Sequence, residues 1–245
     1  MLSLLYMTSS YYGSYSYGGM YWYFVLVLPA FILSLAAQIA VKRAYSSLSA
    51  VYSKSGYSGA QAAQAVLHFY GITDVRIEKT SGRLSDHFDP RTNVIRLSEG
   101  VFGSTSIAAI GIACHEAGHA AQYAENYLPI RIRNAVLPVT KIGSYAGIPF
   151  ALIGMFFNFE PLVLTGLLLY SFIMVFQLAT LPVELNASRR ALNVIRETAL
   201  LRNEEEYNGA KKVLTCAAMT YVAALAVSLA NLIRLLAMFS GRRRR

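Results

Sequence analysis

Cysteine, tryptophan and charged residues are scarce in this chain. Its 245 residues include two cysteines and one tryptophan, and 14% of them are charged whereas 55% are hydrophobic. The two cysteines, Cys114 and Cys216, lie in apolar segments. They provide no disulfide framework, which excludes a small disulfide-rich secreted protein and fits the reducing side of a membrane. The scarcity of charge, together with the positive mean hydropathy, excludes an ordinary soluble domain.

Charge is absent from several runs that are long enough to cross a bilayer. Tyr21–Val41 contains no charged residue and ends at Lys42, and Pro161–Leu181 is a second uncharged run. Ile142–Phe157 is shorter and is predicted to form a hairpin with Pro161–Leu181, and Val213–Ile233 is a fourth candidate. The first run lacks a basic leader and is too long for a cleavable signal peptide. The sequence therefore predicts three to four transmembrane helices.

The distribution of lysine and arginine predicts the orientation of these helices. The first twenty residues carry no charge, and the short link Asn158–Glu160 carries only an acid. Most lysines and arginines fall in the other two loops, so we expect these loops to face the cytoplasm and the N-terminus to face outward. Arg242–Arg245 contradicts this rule if the last apolar run crosses the membrane. Either that run does not cross fully, or the tail is tolerated outside, and both alternatives stay open.

The segments between the apolar runs predict a small mixed α and β region. Val75–Glu78 and Asn93–Leu97 alternate apolar and polar residues, which is the pattern of half-exposed strands. Leu84–Arg91 is predicted as a polar turn between them. Tyr127–Lys141, which contains two prolines, is predicted as a linker, and Pro182 is predicted to open a new helix.

A His-Glu-x-x-His motif stands in a long apolar helical pattern. His115 and His119 are four residues apart, so a helix places them on one face where both can bind one metal ion. Glu116 is adjacent and is predicted to take a proton from a water on that ion. Gly118 costs about 1 kcal/mol relative to alanine in a helix, which predicts a close approach of another element. The alternative interpretation is that these histidines are merely partly buried side chains.

Three residues are candidates for a third metal ligand. His68 lies on an amphipathic helical pattern and is interpreted as a partly buried or surface imidazole. His87 lies in the polar turn, where it either contacts the substrate or is a loop residue held by turn hydrogen bonds. Glu184 is favoured because two candidate spans separate it from His119, and two crossings return the chain to the side it left. The alternative is that Glu184 merely stabilises a helix N-terminus or pairs with a following arginine.

These residues predict hydrolysis of peptide bonds at one Zn²⁺ ion per chain. His115, His119 and Glu184 are the predicted ligands, and Glu116 is the predicted general base. Asn93–Leu97 is predicted to bind an extended peptide along its edge. Candidate contacts to the substrate or transition state are His87, Arg189 and Tyr221.

The predicted partners are a peptide or protein substrate, with membrane proteins among the candidates, and the lipid bilayer. The terminal arginines next to an apolar helix indicate lipid headgroups, and no nucleic acid is expected. A non-enzymatic membrane protein that binds or transports a metal is the alternative function. Glu116 beside His115 and the polar flanks argue against it, because they predict a site at a membrane surface rather than at the midplane.

Four stretches resemble the YugP-like membrane zinc metallopeptidases, also called neutral zinc metallopeptidases. They occur in the same order in this chain: Gly82–Pro90, Cys114–Ala120, Leu181–Ala191 and Ala217–Ala224. The resemblance extends from about Tyr21 to Leu236, and the family is distantly similar to the HtpX and CAAX-prenyl-protease group. It implies a metallopeptidase of the gluzincin type with Glu184 as third ligand. Ser188 stands where an aspartate often follows that glutamate in the HtpX-like pattern.

The predicted fold is a mainly α integral membrane protein with a small α+β cytoplasmic gluzincin-like metalloprotease domain. We expect a multi-pass protein of the cell membrane whose active site faces the cytoplasm. The predicted organisation is a low-complexity N-terminal segment (1–20), a transmembrane helix (21–41), the cytoplasmic part of the protease domain with the His-Glu-x-x-His helix (42–135), a transmembrane hairpin (136–181), a cytoplasmic helical region with the third ligand (182–212), a C-terminal apolar helix (213–239) and a basic tail (240–245).

Overall fold

The computed structural model of the protein describes residues 20–243, which are mainly helical and include a small three-stranded sheet. The predicted N-terminal segment, apart from Met20, and the last two arginines of the predicted tail lie outside the described residues. A π-helical turn (Tyr23–Val27) precedes α1 (Leu28–Ser49), followed by α2 (Gly59–Phe69), β1 (Arg76–Thr80), β2 (His87–Asp89), β3 (Val94–Ser98), α3 (Glu99–Phe102), α4 (Ile107–Ala124), α5 (Leu128–Phe156), α6 (Glu160–Glu197) and α7 (Glu204–Arg243). The predicted mainly α class is confirmed.

Four helical segments in the described part of the chain have the length and composition of membrane spans. They are Met20–Ser49, Leu128–Phe156, Glu160–Glu197 and Glu204–Ser240. Because about 20 apolar residues suffice to cross the hydrocarbon, each of them is long enough. The prediction of three to four such helices is confirmed at its upper limit.

Two predictions about prolines are wrong. The predicted linker Tyr127–Lys141 is helical almost throughout, because α5 includes Pro138 and also Pro149. Pro182 lies inside α6, which continues for fifteen residues beyond it and is not interrupted there. A proline removes one backbone hydrogen bond, yet long apolar helices packed against others accommodate that loss.

The described residues divide into two compact units. The first contains the residues up to 36, 133–178 and those from 222 onward, and the second contains Ala37–Ile132 and Ala179–Tyr221. In the first unit α5 and α6 form an antiparallel hairpin with Ala151 and Val163 in its core. A Cβ atom at Gly143 or Gly154 would collide with the backbone of α6, so small residues allow the two helices to pack closely.

The second unit contains the sheet, whose strand order is β1-β3-β2. β1 pairs with β3 in parallel and β2 pairs with β3 antiparallel. The predicted strands Val75–Glu78 and Asn93–Leu97 correspond to β1 and β3, but the predicted turn Leu84–Arg91 contains β2. β3 is paired on both sides, so the prediction that it binds a peptide along its edge is wrong. β2 is an edge strand instead.

The core of the second unit surrounds α4. Ser106 caps this helix by accepting a hydrogen bond from the Ala109 amide at 3.2 Å. Most residues of α4 are buried, as its apolar sequence predicts. The core also includes residues of α2, β3, α6 and α7, among them Leu67, Leu97 and Ile195. Polar side chains on α4 are therefore held in an interior, where each needs a partner.

Candidate metal centre

α4 presents His115 and His119 on one face, as the spacing of four residues predicts. Their rings lie 4.7 Å apart between centroids and are nearly perpendicular, with an interplanar angle of 82°. Both side chains are largely buried. The two Nε2 atoms point toward the same carboxylate on α6, and this arrangement is what a shared ion requires.

That carboxylate belongs to Glu184. Its Oε2 lies 3.3 Å from Nε2 of His115 and 3.6 Å from Nε2 of His119. α6 reaches this position because α4 has no side chain at Gly118, where a Cβ would lie 2.8 Å from the carbonyl oxygen of Ala187. The close approach that the sequence predicts at Gly118 is confirmed.

The three donors fit a zinc ion. A nitrogen of each imidazole and an oxygen of the carboxylate all lie within 4.8 Å of one another. In a tetrahedral zinc site with ligand distances of about 2.0–2.1 Å, neighbouring ligand atoms are about 3.3 Å apart. The 3.3 Å and 3.6 Å separations from Glu184 approach that value without any rearrangement of the helices. Two imidazoles and one carboxylate are also the donor set of one class of catalytic zinc site.

Burial and mutual charge shift the acidities of these groups. Burial by itself would raise the pKa of Glu184, but hydrogen bonds to His115 and His119 outweigh it and hold that pKa well below its usual range. Burial lowers the pKa of His119, whereas the hydrogen bond with Glu184 and the charges of Glu116 and Glu184 raise it, and the net direction is upward. The cluster therefore favours a positively charged group or ion next to Glu184.

The second nitrogen of each imidazole also has a partner. Nδ1 of His115 lies 3.1 Å from Oγ of Ser188, and Nδ1 of His119 lies 3.0 Å from Oε1 of Gln122. In the sequence, Ser188 stands out only as a departure from an aspartate, and Gln122 was not predicted as a site residue. A signal for Gln122 was available, because a glutamine one turn after His119 on an otherwise apolar face needs buried partners.

Glu116 lies at the border between the helix and the sheet. Its Oε2 accepts a hydrogen bond of 3.0 Å from the backbone N–H of Phe88, the central residue of β2. The Phe88 ring contacts Tyr123 of α4, with the centroids 5.5 Å apart. β2 therefore runs beside the helix that carries both histidines.

The other three predicted site residues lie on β2, α6 and α7. His87 is exposed on β2, and its Nδ1 lies 2.7 Å from the carbonyl oxygen of Ser85. Arg189 is exposed on α6, and Tyr221 is half-buried on α7. Their predicted contacts with substrate stay predictions. His68, on α2, is exposed, in agreement with its interpretation as a surface imidazole.

Comparisons with known proteins match most of the chain. A family model described as "Putative neutral zinc metallopeptidase" matches residues 23–240. The chain is 43% identical over 214 residues to a Bacillus subtilis (strain 168) protein named "Putative membrane protease YugP", a match that covers 87% of this chain and 95% of that protein. No solved structure gives a significant match. The distant relation to the HtpX group stays a prediction. The chain therefore belongs to the neutral zinc metallopeptidase family, and its relative in Bacillus subtilis is named as a membrane protease.

Proposed function

We propose that this protein is a membrane zinc endopeptidase of the gluzincin type, with one zinc ion held by His115, His119 and Glu184 and with Glu116 as general base. One observation carries the proposal. Donor atoms from two helices converge at distances that fit tetrahedral zinc, and the carboxylate that follows the first histidine lies next to an edge strand. The family description supports zinc and peptide hydrolysis.

The chemistry divides between the ion and the chain. When bound, zinc lowers the pKa of a water molecule toward neutrality and polarises the carbonyl group of the scissile bond. Glu116 accepts the proton of the attacking water and later passes it to the leaving amine, a role that typically contributes a factor of about 10²–10⁴ to the rate. The Phe88 amide restricts the rotamer of Glu116, so the carboxylate is held in position before substrate arrives.

The substrate backbone is proposed to bind along β2. An edge strand has backbone groups on one side that are not paired within its sheet, and an extended peptide can add there as a further strand. The N–H of Phe88 donates to Glu116, so β2 lies directly beside the proposed base. A peptide that lies along β2 passes beside the proposed base. His87, Arg189 and Tyr221 stay candidate donors to the oxyanion.

Replacement of Glu116 by glutamine tests the proposed base. The full-length E116Q protein, purified in detergent, should keep its zinc and lose peptide cleavage by a factor of about 10² or more. Zinc content is measured alongside cleavage of a fluorogenic peptide mixture, with removal and return of zinc as the metal control. The matched control is E99Q, because Glu99 is an exposed glutamate that pairs with Lys79. Cleavage by E116Q at the wild-type rate would refute the assignment.

The E116Q variant also distinguishes an enzyme from a metal transporter. A transporter that uses these ligands has no need of a proton acceptor that acts on water, so E116Q would leave zinc flux into vesicles largely intact. Wild-type protein that moves zinc across vesicles and cleaves no peptide would support the transporter and overturn the proposed function.

A further inference from the structure

We propose that Gln122 is a positioning residue that fixes the ring of His119 and directs its Nε2 at the zinc ion; this inference rests on the zinc site proposed above. Gln122 follows His119 by one turn of α4 and is fully buried. Its Oε1 lies 3.0 Å from Nδ1 of His119. A buried glutamine costs free energy unless its polar atoms have partners, so its contacts define what it does.

The direction of each hydrogen bond follows from groups that only donate or only accept. Arg190 has no acceptor, so its Nε donates at 2.8 Å to the side-chain oxygen of Asn186. Nε2 of Gln122 donates to that same oxygen and to the carbonyl of Val183, both at 2.8 Å. The oxygen of the Gln122 amide is then the atom that faces His119. Since this oxygen only accepts, Nδ1 of His119 carries the proton.

This proton position determines which nitrogen of His119 is available to a metal. A neutral imidazole has one N–H and one lone pair, so protonation at Nδ1 leaves the lone pair on Nε2. Nε2 is the atom that faces Glu184, at 3.6 Å. Gln122 therefore selects the tautomer and the ring orientation that zinc binding needs.

The network is anchored on both helices of the site. Val183 and Asn186 flank Glu184 on α6, so the amide of Gln122 also fixes α6 against α4 beside the third ligand. Arg190 is held in turn by two hydrogen bonds to Glu125, of 2.8 Å and 2.6 Å. The Gln122 side chain thus has two separate functions: its oxygen accepts a hydrogen bond from His119, and its amide nitrogen links α4 to α6. Different substitutions remove these two functions.

Zinc affinity tests the proposal. Full-length protein purified in detergent is stripped of metal, and zinc is titrated against a chromophoric chelator. Q122L removes the acceptor, and its zinc affinity should fall by about 10–100-fold, the usual effect of losing a partner of a metal-binding histidine. Q122E keeps an oxygen that accepts from Nδ1 but cannot donate to Val183 or Asn186. It should bind zinc at least tenfold more tightly than Q122L, although its metal-free form melts at a lower temperature than the wild type.

A merely structural role of Gln122 gives a different pattern. In that case Q122L and Q122E lose thermal stability together, and their zinc affinities fall equally or stay at the wild-type value; either result overturns the inference. If Q122L does not fold, Q122A replaces it, because alanine also lacks the acceptor for Nδ1 of His119, and its zinc affinity should fall by about 10–100-fold. Q122A with wild-type zinc affinity would also overturn the inference.

Two further outcomes of the zinc titration distinguish failure of this inference from failure of the proposed function. Q64L, at an exposed glutamine of α2, is the control and should match the wild type. Wild-type protein that binds zinc with the same affinity as Q122L would refute only the role of Gln122. Wild-type protein that binds no zinc would refute both the zinc site and this inference.

Discussion

Glu206 is a buried carboxylate that joins two loops to the start of α7. Its oxygens accept hydrogen bonds of 3.1 Å from the Lys54 and Arg202 amides and from the Ser53 hydroxyl. Burial would raise the pKa of Glu206, but these bonds outweigh it and lower the pKa below its usual value. The charged form is therefore favoured in the folded protein.

The pH dependence of stability follows from that shift. Because the folded pKa of Glu206 lies below the unfolded value of about 4.3, its contribution is fully present above that value and is lost as the pH falls through the folded pKa. E206Q should reduce the free energy of unfolding by about 1–3 kcal/mol at neutral pH, because an amide leaves buried donors unpaired. The difference from wild type should shrink on acidification. Thermal unfolding between about pH 3 and pH 7 measures it.

E205Q is the control for this prediction, since Glu205 is the exposed neighbour of Glu206. A difference between E206Q and wild type that stays constant down to the lowest pH would contradict the role assigned to the charge.

Among the residues of the site, sequence predicts those whose chemistry is distinctive. Histidine and glutamate in the His-Glu-x-x-His pattern indicate a metal by type and spacing, and Glu184 was favoured because two candidate spans separate it from His119. Gln122 and Ser188 were not predicted as partners of the imidazoles. Amides and hydroxyls occur in many environments, so their roles depend on what the fold places opposite them.

At the scale of elements, the contact of α4 with α6 decides whether three ligands can meet. G118A should place a Cβ against the carbonyl of Ala187 and force the two helices apart. We expect a loss of about 1–3 kcal/mol in stability and weaker zinc binding, because Glu184 moves away from His115 and His119. Thermal unfolding of the metal-free protein and chelator competition measure the two effects.

Gly111 on the same helix provides the matched control. A Cβ there would lie 3.4 Å from Cβ of Ala210, which is an ordinary contact, and alanine is the better helix former. G111A should therefore be neutral or slightly stabilising and should keep its zinc affinity. Equal behaviour of G118A and G111A would show that the close approach at Gly118 is not what assembles the site.

The helices and strands could be predicted where the periodic sequence pattern is long. The apolar helices and the strands β1 and β3 follow from the periodicity of their sequences. β2 has three residues, too few for an alternating pattern, and it exists because β3 and α4 supply its partners. Proline was a misleading signal, since Pro138 and Pro182 lie inside helices that packing maintains.

At the scale of the whole molecule, we propose that all four apolar helices cross the membrane and that the second unit forms the cytoplasmic protease domain. An even number of crossings places both chain ends on the same side, which the lysine and arginine distribution predicts to be the outside. The basic C-terminal residues are then tolerated against the usual rule. The number of helices long and apolar enough to cross was predictable from run length, but the division into two units was not, because it depends on distant contacts along the chain.

Cysteine labelling checks this topology. In a variant that lacks Cys114 and Cys216, a single cysteine at the exposed position Asn158 should react with a membrane-impermeant maleimide in intact cells. A cysteine at Tyr57, in the exposed loop before α2, should react only after the membrane is opened. A tag after Arg245 should be accessible from outside. Accessibility of Tyr57 and Asn158 from the same side would contradict the proposed crossings.

The proposed site depends on a single ion held jointly by α4 and α6. The most direct measurement is the zinc content of purified full-length wild-type protein beside E184A and H87A. We expect about one zinc per chain in the wild type and in H87A, and loss of that zinc in E184A. Zinc retained by E184A at the wild-type level, or lost from H87A alone, would contradict the proposed site.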